Sequence, residues 1–313
     1  MFNHFKMHLS TLSNLTILYA CNDWGMGHVA RSIPIIQQLL QQNNHVIFAG
    51  TAQQQAILRE YFSELQCIDL KGYEFQFTGN GNWTFEMLKN TLRMHNSVKE
   101  ENAEVQQWCQ QLKISLVISD HRYGFRHQTI PSIFITHQVT LPLRRIQQVA
   151  NQWHANQLKK FTSIWVLDTD KHQFAGKLST TKIAFPIQYI GIQSRFSHRE
   201  LEPQNYILAV ISGPEPYAEQ LFNEIIQLAH HTDDKIICIC QKKYNFTDLP
   251  NSLEIVNNAS WLTMDELFYN CKSIISRSGY TTIMDNVILR KPIRYIPTPG
   301  QLEQAYLFQL HNN

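Results

Sequence analysis

Three short runs carry most of the chemistry that the sequence offers, and each lies where an apolar stretch gives way to a helical pattern. The first is Asn22-Asp23-Trp24-Gly25-Met26-Gly27-His28-Val29-Ala30-Arg31. Glycines let backbone approach a ligand, and a helix start presents unpaired N–H groups with partial positive charge. His28 stands at this junction, and a neutral imidazole is a good acceptor for a hydroxyl proton. The plainer reading is a helix-start residue bonded to a neighbour. The run is not a dinucleotide fingerprint, because Ala30 fills the place of the third glycine.

The second run is Ser276-Arg277-Ser278-Gly279-Tyr280-Thr281-Thr282. A hydroxyl, a glycine and successive N–H groups at a helix start make an anion nest, to which Arg277 adds charge. Asp285 lies one helical turn beyond Thr281, where its carboxylate can accept from a ribose diol. An N-cap with a surface acid is the alternative. The third run, Pro297-Thr298-Pro299-Gly300-Gln301-Leu302-Glu303-Gln304, makes a rigid turn and then opens a helix. Glu303 and Gln304 carry groups suited to reading sugar hydroxyls, or to simple helix capping.

These runs need strands to end them and helices to follow them, and the pattern supplies both. Candidate strands are Leu15–Ala20, His45–Ala49, Ser115–Ser119, Ser132–Thr136, Ser163–Leu167, Ile207–Ile211, Lys235–Cys240, Ser273–Ser276 and Ile293–Ile296. Helical spacing covers Ile33–Leu40, Val98–Leu112, Leu143–Lys160, Glu215–Ala229, Met264–Cys271 and Thr281–Leu289, and a further helix opens near Glu303. Pro34 suits the first turn of its helix, where a missing N–H costs nothing. Residues 71–85, with Gly72, Gly79 and Gly81, read as a long loop. Alternating strands and helices predict a parallel α/β sheet, and the pattern restarts after residues 192–204 with a new glycine loop at Ser212-Gly213. Two doubly wound, Rossmann-like halves facing a cleft follow from this, with ligands at the carboxyl ends of the strands. The expected division is 1–195, a linker at 196–205, and a short or truncated second half at 206–313.

Composition sets the outer limits. The chain has 313 residues, 43% hydrophobic and 17% charged, which fits packed domains. Lys+Arg less Asp+Glu is 27 − 25, or +2, with no basic run, which argues against nucleic acid as a partner. Six cysteines without a C-x-x-C pair indicate a reduced, cytoplasmic protein. Cys238 and Cys240, two apart in a strand, face the same way and suit burial. There is no metal-ligand motif; His121 and His127 lack a third partner.

The run Ser276–Gln304 resembles the sugar-donor half of glycosyltransferase family 28, which includes the enzyme that adds N-acetylglucosamine to the lipid-linked peptidoglycan precursor. The G-M-G-H-V-A-R start is similar to the same family's amino-terminal glycine loop. Ile118-Ser119-Asp120-His121-Arg122-Tyr123-Gly124 and Phe134-Ile135-Thr136-His137-Gln138 resemble uncharacterised bacterial members. The resemblance runs from about residue 15 to the end, and between the motifs it rests on pattern.

It implies a GT-B fold of two Rossmann-like domains, the first on the acceptor side and the second binding a nucleotide sugar, UDP-linked, with no cofactor or metal. Ser278 and Gly279 fall on its diphosphate-binding positions, with Gly27, Arg277, Tyr280 and Thr281 beside them and Ser212-Gly213 as the facing loop. Asp285 falls on its ribose-binding acid, usually Glu. Glu303 and Gln304 fall on two sugar-reading glutamines, so the sugar itself is open. Trp261 edges the nucleobase or sits in the core. His28 falls on the base of an inverting transfer, and Asp120, His137 and Gln138 fall on the acceptor side. An epimerase acting on a nucleotide sugar can use the same fold without a second substrate, and a non-catalytic donor-binding subunit completed by a partner is a further alternative. A lipid-linked acceptor would suit weak attachment to the inner face of a membrane through the basic, partly apolar helix Leu143–Lys160. An ordinary domain helix with its apolar face in the core and its ends solvated is the favoured reading of that stretch.

Overall fold

The computed structural model describes residues 7–73, 83–142, 147–181, 184–245 and 249–312. It forms two compact units, residues 1–74 with 90–195 and residues 75–89 with 196–313. The first runs β1 (Thr16–Cys21), α1 (Gly27–Gln41), β2 (His45–Gly50), α2 (Ala52–Tyr61), β3 (Gln66–Asp69), α3 (Trp83–Gln111), β4 (Leu116–Asp120), β5 (Ser132–Thr136), α4 (Gln147–Leu158), β6 (Ser163–Val166) and β7 (Ile187–Tyr189). Its seven strands are parallel in the order β3-β2-β1-β4-β5-β6-β7. The chain winds outward from β1 to one edge, then returns and winds to the other. The direction reverses between β1 and β4, which opens a crevice at their carboxyl ends.

The second unit repeats the plan. It runs β8 (Ile207–Val210), α5 (Tyr217–His230), β9 (Ile236–Cys240), β10 (Leu253–Asn257), α6 (Trp261–Asn270), β11 (Ser273–Ser276), α7 (Tyr280–Leu289), β12 (Ile293–Tyr295) and α8 (Leu302–His311). The order is β10-β9-β8-β11-β12, again all parallel, and it reverses between β8 and β11.

Strands covered on both faces are apolar along their middle, and β4, β5 and β9 are buried at every position, with polar residues only at the ends of β4 and β5. Phe134, Phe161, Leu158 and Ile164 form one core of the first unit, and Leu18, Ile47, Val117 and Phe125 another. In the second unit Leu221, Phe222 and Ile225 of α5 pack on Cys238 and Ile236 of β9. Each such apolar side chain contributes about 1.5–3 kcal/mol when fully buried. All six cysteines are free, and the Cys238 and Cys240 sulfurs lie 3.7 Å apart in this core.

Several local expectations change. Residues 83–85 are helical, because α3 begins at Trp83 and is longer than the expected 98–112; Gly79 and Gly81 lie outside the described residues. Pro34 lies well inside α1 rather than in its first turn. Strands β3, β7 and β10 and helix α2 add to the expected set. The 196–205 stretch packs on α6: Phe196 contacts Phe268 and Tyr269, and Tyr269 Oη accepts from the Ser197 amide at 3.0 Å. Helix α4 turns His154, Ala155 and Leu158 inward, and Trp153 packs partly buried against the same core. Residues 143–146 of that stretch lie outside the described residues. No described helix is long and apolar enough to cross a membrane.

Candidate functional site

In the first unit the register of β1 on β4 sets the site. Cys21 pairs with Asp120, so the loop leaving β1 begins beside the last residue of β4. Gly25 turns that loop at φ 105°, a conformation that excludes side chains, and α1 then starts at Gly27 with His28 in its first turn. His28 Nδ1 lies 3.2 Å from Asp120 Oδ1. The Asp120 side chain is fully buried and that of His28 is 18% exposed. Nε2 of His28 makes no hydrogen bond among the described residues.

Arg31, one turn along α1, is buried under the pair. It donates from Nε to Asp120 Oδ2 at 2.7 Å and from Nη2 to Oδ1. Nη2 also lies 2.8 Å from His28 Nδ1, and Nη1 lies 3.3 Å from His137 Nδ1. The Gln138 amide sits 3.2 Å from His137 Nε2. Thus His28, Asp120, His137 and Gln138, singled out from sequence, come together, and they do so around Arg31.

Sequence reasoning gave Arg31 no role. Its spacing of three from His28, on one helix face, was the available signal. It also dismissed His121. That residue follows β4 in the left-handed region at φ 62°, with its ring centroid 5.8 Å from that of His28 and its buried Nδ1 without a hydrogen-bond partner among the described residues. His127 instead accepts two local amides in a turn.

Electrostatics follow from the packing. Burial pushes the Asp120 carboxyl up, but Arg31 and His28 outweigh it and hold the group well below the usual carboxylate range. Burial and the Arg31 charge lower His28, and Asp120 only partly offsets them. Burial, then His28 and Arg31, push His121 well down. A second buried network braces the same loops. Arg122 pairs with Glu101 of α3, reaches Asp23 at 3.3 Å and donates to the Lys71 carbonyl at 2.9 Å.

In the second unit, Ser212-Gly213 follows β8 and Gly213 turns at φ 108°. Across the switch point, β11 ends at Ser276. Arg277 is 2% exposed and donates to the carbonyls of Tyr217 (2.7 Å) and Pro297 (3.1 Å). The guanidinium thus fastens the loop after β11 to the start of α5 and to the loop after β12. Ser278 is fully buried and donates to the Gln304 carbonyl at 2.9 Å. Gly279 is the N-cap of α7 with no side-chain cap bond, followed by Tyr280, buried, and Thr281, half-buried. A Cβ on Gly279 would meet only Thr282 Oγ1, at 4.0 Å. Asp285 is buried in α7, and Glu303 is half-buried in the first turn of α8. Gln304 accepts from the Thr298 amide at 2.7 Å through Oε1, so half of its side chain is committed to the preceding turn. Trp261 is 7% exposed, and burial leaves it little face for a base to stack on.

Two parallel sheets, each reversing at a glycine-loop crevice and flanked by helices, define an α/β protein of the GT-B architecture. Neither a protein-family profile nor a curated protein matches the sequence. Solved structures match in fold. Spinosyn rhamnosyltransferase SpnG, complexed with thymidine diphosphate, is 12% identical with a TM-score of 0.63, over 94% of this chain and 84% of its own. UGT89C1 of Arabidopsis thaliana, complexed with UDP-L-rhamnose, is 11% identical with a TM-score of 0.63, over 95% and 83%. MurG of Acinetobacter baumannii is 16% identical with a TM-score of 0.53, over 94% and 83%. At these identities the likeness is one of fold.

Proposed function

We propose that the protein transfers a sugar from a nucleotide-sugar donor to a hydroxyl acceptor, with inversion, and that His28 is the general base. The observation that carries this reading is His28 itself, its Nδ1 beside the buried Asp120 carboxylate and its Nε2 unbonded. With the ring proton on Nδ1 facing Asp120, the Nε2 lone pair takes the acceptor proton as the acceptor oxygen attacks the anomeric carbon. The bond from that carbon to the diphosphate breaks, and the imidazolium formed is stabilised by Asp120. The leaving nucleoside diphosphate carries new negative charge, which a helix start stabilises by fixed N–H dipoles. In this reading the diphosphate rests at Gly279–Thr281, Asp285 takes the ribose, and Glu303 and the free part of Gln304 read the sugar. The open space over Gly279 supports that placement. The fold neighbours complexed with thymidine diphosphate and UDP-L-rhamnose make nucleotide-linked sugars, UDP-linked ones first, the ligands to try.

A thermal-shift screen of nucleotide sugars tests the proposal, since a ligand bound only by the native state raises the apparent melting temperature. A shift with one sugar nucleotide, and release of its nucleoside diphosphate with an added acceptor, are expected. No shift with any of them overturns the reading. Solvent deuterium entering the sugar without transfer would make the protein an epimerase instead.

A further inference from the structure

Nδ1 of His28 faces two groups that make opposite demands on it. Asp120 Oδ1, at 3.2 Å, can only accept a hydrogen bond, and Arg31 Nη2, at 2.8 Å, can only donate one. A neutral imidazole satisfies one of them at a time. If Nδ1 carries the proton it donates to Asp120 and leaves Nε2 bare. If Nδ1 is bare it accepts from Arg31, and Nε2 carries the proton.

Arg31 is placed to win this competition. It is 2% exposed, lies on the same helix as His28, and is held in place by both Asp120 oxygens. The same pairing satisfies the carboxylate, so Asp120 has less call on the imidazole proton. The contact to Arg31 is also the shorter of the two. We propose that Arg31 is a positioning residue that selects the tautomer of His28, holding the resting ring neutral with its proton on Nε2. The base form used in the proposed reaction then arises when Nδ1 passes from Arg31 to Asp120, with solvent water taking the proton from Nε2 and returning one to Nδ1, so that the net charge does not change.

The groups facing His28 support this assignment from every packed element. Arg31 comes from α1, Asp120 and His121 from the end of β4, and His137 from the loop after β5. His137 presents Nδ1 to Arg31 as well, so the guanidinium sits between two imidazole nitrogens and one carboxylate. His121 is kept from taking a proton by burial and by the neighbouring His28 and Arg31. The cluster therefore holds one fixed cation and one fixed anion, and it disfavours a second positive charge on His28.

The assignment bears on the base proposed above, but its test does not depend on turnover. Imidazole 15N chemical shifts of the full chain, with the His28 signals identified by their loss in His28→Gln, report both tautomer and titration. In the parent protein His28 should show protonated Nε2 and bare Nδ1 at neutral pH, and should titrate below its ordinary value. Arg31→Gln should move the ring proton to Nδ1 and raise the titration midpoint by about one pH unit or more, as loss of a neighbouring cation does. Arg31→Lys, which keeps the charge but cannot fork across both Asp120 oxygens and Nδ1, should restore the low midpoint without restoring the tautomer. A parent protein with Nδ1 protonated overturns the proposal even if no variant folds. So does an unchanged tautomer in a folded Arg31→Gln. A confirmed tautomer with no transfer activity would leave Arg31 in its role and remove only the proposed reaction.

Discussion

The hydroxyl of Ser278 donates to the main-chain oxygen of Gln304 across 2.9 Å, which ties the loop after β11 to the first turn of α8. Gln304 in turn accepts from Thr298, so three separate stretches share one bonded path. Ser278→Ala should lower stability by about 1 kcal/mol, the usual net worth of one buried hydrogen bond. It should also weaken UDP binding several-fold by loosening α8 against the loop. Denaturant titration and calorimetry check the two effects; unchanged affinity in a destabilised variant would make the bond structural only.

Arg277 gives a contrasting expectation. Its buried guanidinium bonds carbonyls of two other segments. Arg277→Met should cost about 2–3 kcal/mol, because hydrogen bonds from a charged group are stronger than neutral ones. The salt dependence of nucleotide binding should stay as in the parent, measured at two ionic strengths. A flatter salt dependence would show that the cation does reach the ligand.

Gly279 has an ordinary φ of −73° and open space at its Cβ position. Gly279→Val should therefore fold with a melting temperature close to the parent's and lose UDP binding, as seen by thermal shift. An unfolded variant would show that packing, not ligand approach, requires the glycine.

Loss of the proposed base should lower turnover without touching the sugar donor. His28→Ala is expected to reduce the rate by roughly 10²–10⁴, the range for removing a positioned general base. The dissociation constant for the nucleotide sugar should change little. Equal rates in variant and parent would end the role assigned to His28.

Acid stability should report His154. Its ring is buried between the Tyr123 hydroxyl (2.8 Å) and the Gln138 carbonyl (2.9 Å), and burial pushes it down to about 4. The unfolded chain takes up this proton near pH 6.5. Stability from the neutral ring is thus complete above pH 6.5 and is lost as pH falls toward 4, about 3 kcal/mol in all. His28 and His121 act in the same direction. Melting temperatures from pH 7 to 4.5 should fall less steeply in His154→Leu than in the parent. Parallel slopes would show that other groups set the acid limit.

The elements legible in the sequence are those buried on both faces. Ser132–Thr136 and Ser273–Ser276 were readable to the residue, because continuous apolar runs bounded by polar residues have few other interpretations. Strand β3 escaped because Gln66-Cys67-Ile68-Asp69 is a half-exposed edge with one strongly apolar residue. Helix α2 lacks an apolar stripe; its signal was the capping box of Thr51 and Gln54, which the structure forms in both directions. The site divides in the same way. Glycine loops and helix starts were visible because local backbone needs fix residue type. Except for His28, the partners of Arg31 and Arg277 come from elements distant in sequence, and no spacing rule reaches them.

The cores gathered around Phe134 and Phe222 share no residue. Each crevice is thus maintained by its own sheet, and damage to one hydrophobic interior need not spread to the other. Under selection this makes the halves exchangeable parts. Sequence change can accumulate around the carboxyl-terminal crevice while the amino-terminal histidines are inherited unaltered.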